Sequence, residues 1–165
     1  KEQNTVAVFN GLAEAGPRAL GNRSILFDPR NENGREIVNR IKKREWYRPF
    51  AAMILEEYFD EYFETLGLTK SEFMTISFQC KQPKIIPAVV HVDNSCRVQT
   101  VDKSINHVYD ILYKFNEETG CPILLNTSFN MAGDPLIETQ DQAIECLNNT
   151  ELDALWFPEI GRLVK

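Results

Sequence analysis

Cysteine is scarce and scattered in this sequence. Four residues, Cys80, Cys96, Cys121 and Cys146, form no C-x-x-C pair. A structural zinc site needs close ligand pairs, so that class is excluded. Each cysteine lies in an apolar or mixed segment, and buried free thiols in a reducing, cytoplasmic setting are the expectation. No apolar run is long enough to cross a bilayer, and residues 1–10 lack the apolar core of a signal peptide. Repeats and low-complexity linkers are absent. Neither a P-loop nor a dinucleotide fingerprint occurs, and no G-x-S-x-G elbow surrounds Ser128, which argues against a serine nucleophile. The net charge of −6 weighs against a general nucleic-acid binder.

What is present suits one domain: 165 residues, 43% of them hydrophobic and 25% charged. Thr5 to Phe9 reads as a strand already under way, so the chain is expected to be a domain of a longer protein. Strands are expected at Val6–Asn10, Ser24–Phe27, Phe50–Leu55, Met74–Cys80, Arg97–Val101, Ile123–Leu125 and Leu152–Phe157. Helices are expected at Glu32–Lys43, Glu57–Leu66, Ile105–Thr119 and Gln140–Leu147. The third is the clearest, with Val108, Ile111, Leu112 and Phe115 in a stripe and Gly120 at the C-cap. The irregular interspersion of strands and helices predicts one α/β domain with a mixed, twisted, open sheet and flanking helices.

Charge is unevenly placed. Arg18 to Arg48 holds nine basic residues against four acidic ones, and seven of the nine arginines fall there. The planar guanidinium fork suits phosphate or carboxylate. Four stretches can carry chemistry. In Gly16-Pro17-Arg18-Ala19-Leu20-Gly21-Asn22-Arg23-Ser24, glycines let the backbone present N–H groups while Arg18 and Arg23 add charge. The bland alternative is a tight loop whose arginines pair with acids. Lys42-Lys43-Arg44-Glu45-Trp46-Tyr47-Arg48-Pro49-Phe50 clusters cations at a helix end, where part of the charge merely offsets the dipole. Trp46 or Tyr47 could stack on a base, although aromatic packing is the readier expectation. Alternation from His91 through Asp93 to Arg97 and Gln99 places these within reach of one site, where a His–Asp pair could orient a group or move a proton, or serve only structure. His91 and Asp93 are too few for a metal site. Finally, Asn126-Thr127-Ser128-Phe129-Asn130 follows an apolar strand, the usual place for ligand-binding residues in α/β proteins, and its amides and hydroxyls suit phosphate or carbonyl oxygens.

Taken in order, these stretches resemble the C-terminal domain of the O-carbamoyltransferases, the family of the nodulation, cephem and tobramycin carbamoyltransferases. The matching residues are Gly16 to Ile25, Asn39-Arg40-Ile41-Lys42 with Arg44 and Arg48-Pro49-Phe50-Ala51, His91-Val92-Asp93, Arg97 to Val101, and Asn126 to Asn130. Leu12, Ala52 and Asn94-Ser95 depart from the family's usual arginine, proline and Gly-Thr. The resemblance implies a YrdC-like fold that takes carbamoyl phosphate and ATP and forms carbamoyl-adenylate. A separate sugar-kinase-like, metal-dependent N-terminal domain, absent from this chain, would then pass the carbamoyl group to a hydroxyl. In that reading Arg18, Arg23, Lys42, Arg44, Arg48 and Arg97 surround the phosphates. Asn126, Thr127, Ser128 and Asn130 orient the carbamoyl group or nucleotide, and His91 and Asp93 are the candidates for catalytic proton transfer or positioning. ATP serves as co-substrate with Mg²⁺, and the domain has no metal cage of its own. The alternatives are a threonylcarbamoyl-adenylate-type synthase, an RNA-binding YrdC-like module, and a domain that only docks its partner.

Overall fold

The computed structural model describes residues 4–165. Eight strands form one mixed, open sheet: β1 (Val6–Phe9), β2 (Arg23–Phe27), β3 (Ala51–Leu55), β4 (Ser77–Gln79), β5 (Ser95–Val101), β6 (Ile123–Ser128), β7 (Ala154–Phe157) and β8 (Arg162–Val164). Their order across the sheet is β4-β5-β3-β6-β2-β1-β7-β8. The β3–β5 and β1–β7 pairs are parallel and the rest antiparallel. The helices are α1 (Gly34–Ile41), α2 (Phe59–Tyr62), α3 (Asn106–Thr119) and α4 (Gln140–Asn148).

Side-chain alternation assigns the two faces. Ala7, Phe9, Ile25, Phe27, Ala52, Ile54, Ile123, Leu125, Leu155 and Phe157 pack toward α1, α2 and α4. Val8, Leu26, Met53, Leu55, Leu124 and Val101 point the other way, against Val108 and Leu112 of α3. Both faces are therefore apolar through the centre of the sheet, and every residue of β2 and β3 is buried. Burying side chains such as Val108 and Leu112 is worth roughly 1.5–3 kcal/mol each. Helix α3 ends at Gly120 in the left-handed conformation, φ 70°. Helix α4 begins with a reciprocal capping box between Thr139 and Gln142.

The expected elements are present with shifted ends. The second expected helix shrinks to a 3-10 turn, Glu56–Tyr58, followed by the single turn of α2, because Phe63 leaves it extended to bridge Cys80. The strand expected from Met74 starts at Ser77, since Met74 itself sits at φ 53°. Strand β5 starts two residues early, at Ser95, and β8 was not expected at all. Ile85 to Val92 forms turns rather than regular structure. Strand β6 continues to Ser128, because β2 pairs with it that far while β3 pairs with its other edge as far as Asn126. Asn126 to Ser128 are thus strand residues, not residues of the turn beyond.

Cys80, Cys96 and Cys121 are buried and Cys146 is half-buried, all as free thiols. Burial pushes the Cys96 thiol up to about 12 and that of Cys121 up to about 11, which leaves them unreactive near neutrality. Among the described residues, no helix is long and apolar enough to cross a membrane.

Gly21 is the tightest point between the 11–22 loop and α3. It sits at φ 126°, and a Cβ there would lie 2.2 Å from Cγ2 of Val108. Gly21→Ala is expected to lower stability by roughly 1–3 kcal/mol through strain and overpacking. Denaturant unfolding of the two proteins tests this, and an unchanged midpoint would contradict the packing described.

Candidate functional site

A cleft of ≈ 620 Å³ opens where the C-terminus of α1, the 42–49 loop and the end of β6 meet. Its lining holds Lys42, Lys43, Arg44 and Arg48, with Glu45 as the one carboxylate, together with Ser128, Asn130 and residues 131–133. Asn39, fully buried in α1, organises this loop. Its amide donates to the carbonyls of Trp46 (2.9 Å) and Arg48 (3.0 Å), and its Oδ1 accepts from Arg44 Nε. Arg44 also lies over the Phe50 ring at 4.4 Å. Burial first, then neighbouring Arg48, lowers its pKa to about 10.

Lys42 is buried at 2% exposure. Its ammonium donates to the carbonyl oxygens of Ser128 and Asn130, the latter at 2.7 Å, and to Asn130 Oδ1 at 3.2 Å. Burial, and then Arg44, pull its pKa down to about 7. The three oxygens match the three donors of the ammonium when it is charged. Ser128 Oγ donates to Asn130 Oδ1 at 2.6 Å. Arg48 is exposed and pairs with Glu45 at 2.7 Å, a solvent-screened surface contact that contributes little to stability.

Around the cleft the other named residues take different positions. Arg97, half-buried on β5, has its pKa lowered by burial and then by Arg18, and it in turn acts on Arg44. The field of Arg18, Arg97, Arg44 and Arg48 is therefore shared. Arg18 is exposed on the 11–22 loop. Arg23 turns inward. Its guanidinium donates to the carbonyls of Asn10, Gly11, Asn22 and Ile137 at 2.8–2.9 Å and stacks 3.5 Å from the Phe9 ring. Thr127 is half-buried in β6. His91 and Asp93 form the turn before β5. His91 Nδ1 is 3.3 Å from Ser95 Oγ, while exposed Asp93 accepts from the Ser95 amide at 2.9 Å. Burial lowers the His91 pKa, and the Ser95 hydroxyl and amide lower that of Asp93.

Two expectations change. The amides of the glycine loop face an internal carboxylate, since Glu14 Oε1 accepts from Leu20 N (2.6 Å) and Asn22 N (2.7 Å). Trp46 and Tyr47 are not packed in a core. They are 69% and 61% exposed and meet edge to face at 5.9 Å, in the loop between Glu45 and Arg48 that borders the cleft.

A second polar region lies on the α3 face, under the 11–22 loop. Asn126 Nδ2 donates to the Ala19 carbonyl (3.0 Å) and to Gln99 Oε1 (3.1 Å), and Gln99 Nε2 donates to the Leu20 carbonyl (2.8 Å). His107 Nε2 lies 3.2 Å from the Gly21 carbonyl. Gln99, which alternation placed with Arg97, is fully buried in this region. Ser24 and Glu14 are further members, buried and half-buried, to which the sequence reading gave no role. The parity of Ser24 with Leu26 was the available signal for the first, whereas nothing in the sequence marks Glu14.

Raising the pH from 7 to 10 is expected to stabilise the wild type relative to Lys42→Met. With a folded pKa near 7 and an ordinary one of 10.5, the unfolded chain binds more protons across that window, so stability rises with pH. Denaturant midpoints at pH 7, 8.5 and 10 measure it. A constant difference would mean that the three oxygens hold the ammonium fully.

Residues 1–162 match the family described as carbamoyltransferase C-terminus. Similar proteins include nodulation protein NolNO of Sinorhizobium fredii, 44% identical over 88% of this chain and 22% of its own length. Nodulation protein U of the same species is 40% identical over 78% of this chain and 22% of its own. An uncharacterised protein of Methanocaldococcus jannaschii is 40% identical over 98% of this chain and 27% of its own. The chain thus spans about a quarter of the length of these relatives.

Proposed function

The chain belongs to the carbamoyltransferase C-terminus family, and from that premise we propose that it binds carbamoyl phosphate and ATP and forms carbamoyl-adenylate for a carbamoyl transfer that another part of the full-length protein completes on a hydroxyl. The observation that carries this reading is the cleft itself, whose lining holds four cations and a single, already paired carboxylate. Like charges held this close repel one another, and an anionic ligand relieves that repulsion.

In this reading Lys42 and Asn130 form the floor, with Arg44 and Arg48 gripping phosphate oxygens and Arg18 and Arg97 closing the site from the loop and from β5. Arg23 acts indirectly, by fixing the 11–22 loop through its four carbonyl acceptors. Thr127 and Ser128 border the strand end where the reactants meet. The exposed Trp46–Tyr47 pair offers the adenine a stacking surface. Mg²⁺ arrives on the nucleotide's phosphates. His91 and Asp93 shape the turn that precedes β5 and Arg97, and His91 is the candidate for moving a proton. The atoms balance if carbamoyl phosphate first loses inorganic phosphate to water, giving carbamate. A carbamate oxygen then attacks the α-phosphorus of ATP and pyrophosphate leaves. Neutralising and aligning the phosphates supplies the catalysis.

Calorimetry on this chain is expected to show binding of carbamoyl phosphate, weakened roughly 10- to 100-fold by Arg48→Ala, the range for a lost hydrogen bond between charged groups. Pyrophosphate release from ATP that depends on carbamoyl phosphate is the matching activity assay. Absence of binding of either ligand at millimolar concentration would refute the proposal.

A further inference from the structure

The two faces of the sheet are unevenly covered. Helices α1, α2 and α4 pack on one face. On the other, α3 packs over β3 and β6, near the middle of the strand order. Strands β1, β7 and β8 lie at one end of that order, to the side of α3. Their side chains on this face are nevertheless apolar. Trp156 pairs with Leu163 across β7 and β8, and Val6 pairs with Leu26 across β1 and β2. Together with Ile111 and Phe115 on the flank of α3, these four line a groove of ≈ 660 Å³. Leu163 is 52% exposed, and Val6 and Trp156 are half-buried. Contiguous apolar surface left open to water marks a place of interaction, because a domain that stands alone rarely exposes it.

The chemistry of the rim and the path of the chain say what covers it. Asp28 and Arg30 on the rim already pair with each other at 2.6 Å, and the Thr119 hydroxyl donates to the Phe115 carbonyl. A partner therefore meets an apolar surface rather than a charge, which suits protein side chains better than a polar metabolite. The groove is concave, so a second copy of the same surface does not fill it. A two-fold contact needs a self-complementary patch. Asn4, just ahead of β1, also lines the groove, so the polypeptide that leads into β1 arrives at its rim. This region makes up 22–27% of the length of the relatives and corresponds to the C-terminus of the carbamoyltransferases, so most of their remaining length lies ahead of it.

We propose that this groove seats the part of the full-length protein that precedes this chain, which lays an apolar surface against Trp156, Leu163 and Phe115. Covalent attachment holds that part near the groove at an effective concentration on the order of millimolar for a short connection, so a modest apolar contact keeps it docked. The groove lies apart from the cationic cleft. It takes in Leu124 at the start of β6, whereas the cleft takes in Ser128 at its end, roughly 13 Å further along the strand. The preceding part thus docks beside the cleft without covering it, and the cleft stays open to small ligands. The docking is independent of which ligand the cleft takes.

Hydroxyl-radical footprinting of this chain and of the full-length protein tests this. Labelling of Leu163 and Trp156 is expected to fall roughly threefold or more in the full-length protein, as the core of an interface loses its water, while Trp46 at the cleft is labelled alike in both. Equal labelling of Leu163 in the two proteins overturns the proposal. Protection of Trp46 in place of Leu163 overturns it as well, and would mean that the preceding part closes over the cleft. Leu163→Asp supplies a second readout. Its side chain is largely exposed in this chain, so the substitution is expected to leave the thermal midpoint of this chain unchanged. In the full-length protein it is expected to return Trp156 labelling to the level of this chain alone, and unchanged protection of Trp156 counts against the groove. Sedimentation of this chain as a dimer that Leu163→Asp separates would give the groove to a second copy and also overturns the assignment.

Discussion

The Lys42 ammonium is the contact on which the cleft depends. It joins the end of α1 to the end of β6 through Ser128 and Asn130, which lie 86 and 88 positions along the chain from it. Without it, the 42–49 loop and the strand end that face each other across the cleft lose their common anchor. The bond also sets the electrostatics. A buried ammonium beside Arg44, with Arg48 and Arg97 close by, is tolerable in a folded protein only because oxygens surround it. Lys42 and Arg44 are held in place by carbonyls and an amide rather than by carboxylates, so their charge stays available, and only Arg48 pairs with Glu45.

A different arrangement serves the 11–22 loop. Glu14 occupies its amides, Arg23 gathers its carbonyls, and Asn126 with Gln99 fastens it to the sheet. A glycine-rich loop can wrap an anion with its backbone, but this one wraps a side chain of its own. The loop is thus a pre-formed roof, and its contribution to a ligand comes through what it covers and through Arg18 at its edge.

Much of the fold was legible because burial on both sheet faces imposes plain patterns. Ile123 to Leu125, Ala51 to Leu55 and the stripe Val108, Leu112, Phe115 announce themselves by apolar content and spacing. The ends were not legible, for local reasons. Asn126 has poor strand propensity and is strand because two neighbours pair with it. Strand β8 spans three mostly exposed residues with no apolar alternation to reveal it. At the candidate site the residue types and their order were readable, but side-chain direction was not. Nothing in the sequence tells that Arg23 points inward while Arg18 stays in solvent, that Glu14 fills the loop, or that Trp46 and Tyr47 stand outside the core. Those outcomes are settled by which hydrogen bonds the tertiary fold leaves unfilled, a quantity with no one-dimensional signature.

The position of Trp46 has an optical consequence. The chain has two tryptophans. Trp156 lies half-buried in β7 within the apolar layer under α3, whereas Trp46 stands in water at the lip of the cationic cleft. Indole emission depends on the polarity around the ring, so the two residues differ in spectrum and in access to a dissolved quencher. The protein therefore carries one fluorophore that reports on its core and another that reports on events at the cleft, without any label being attached.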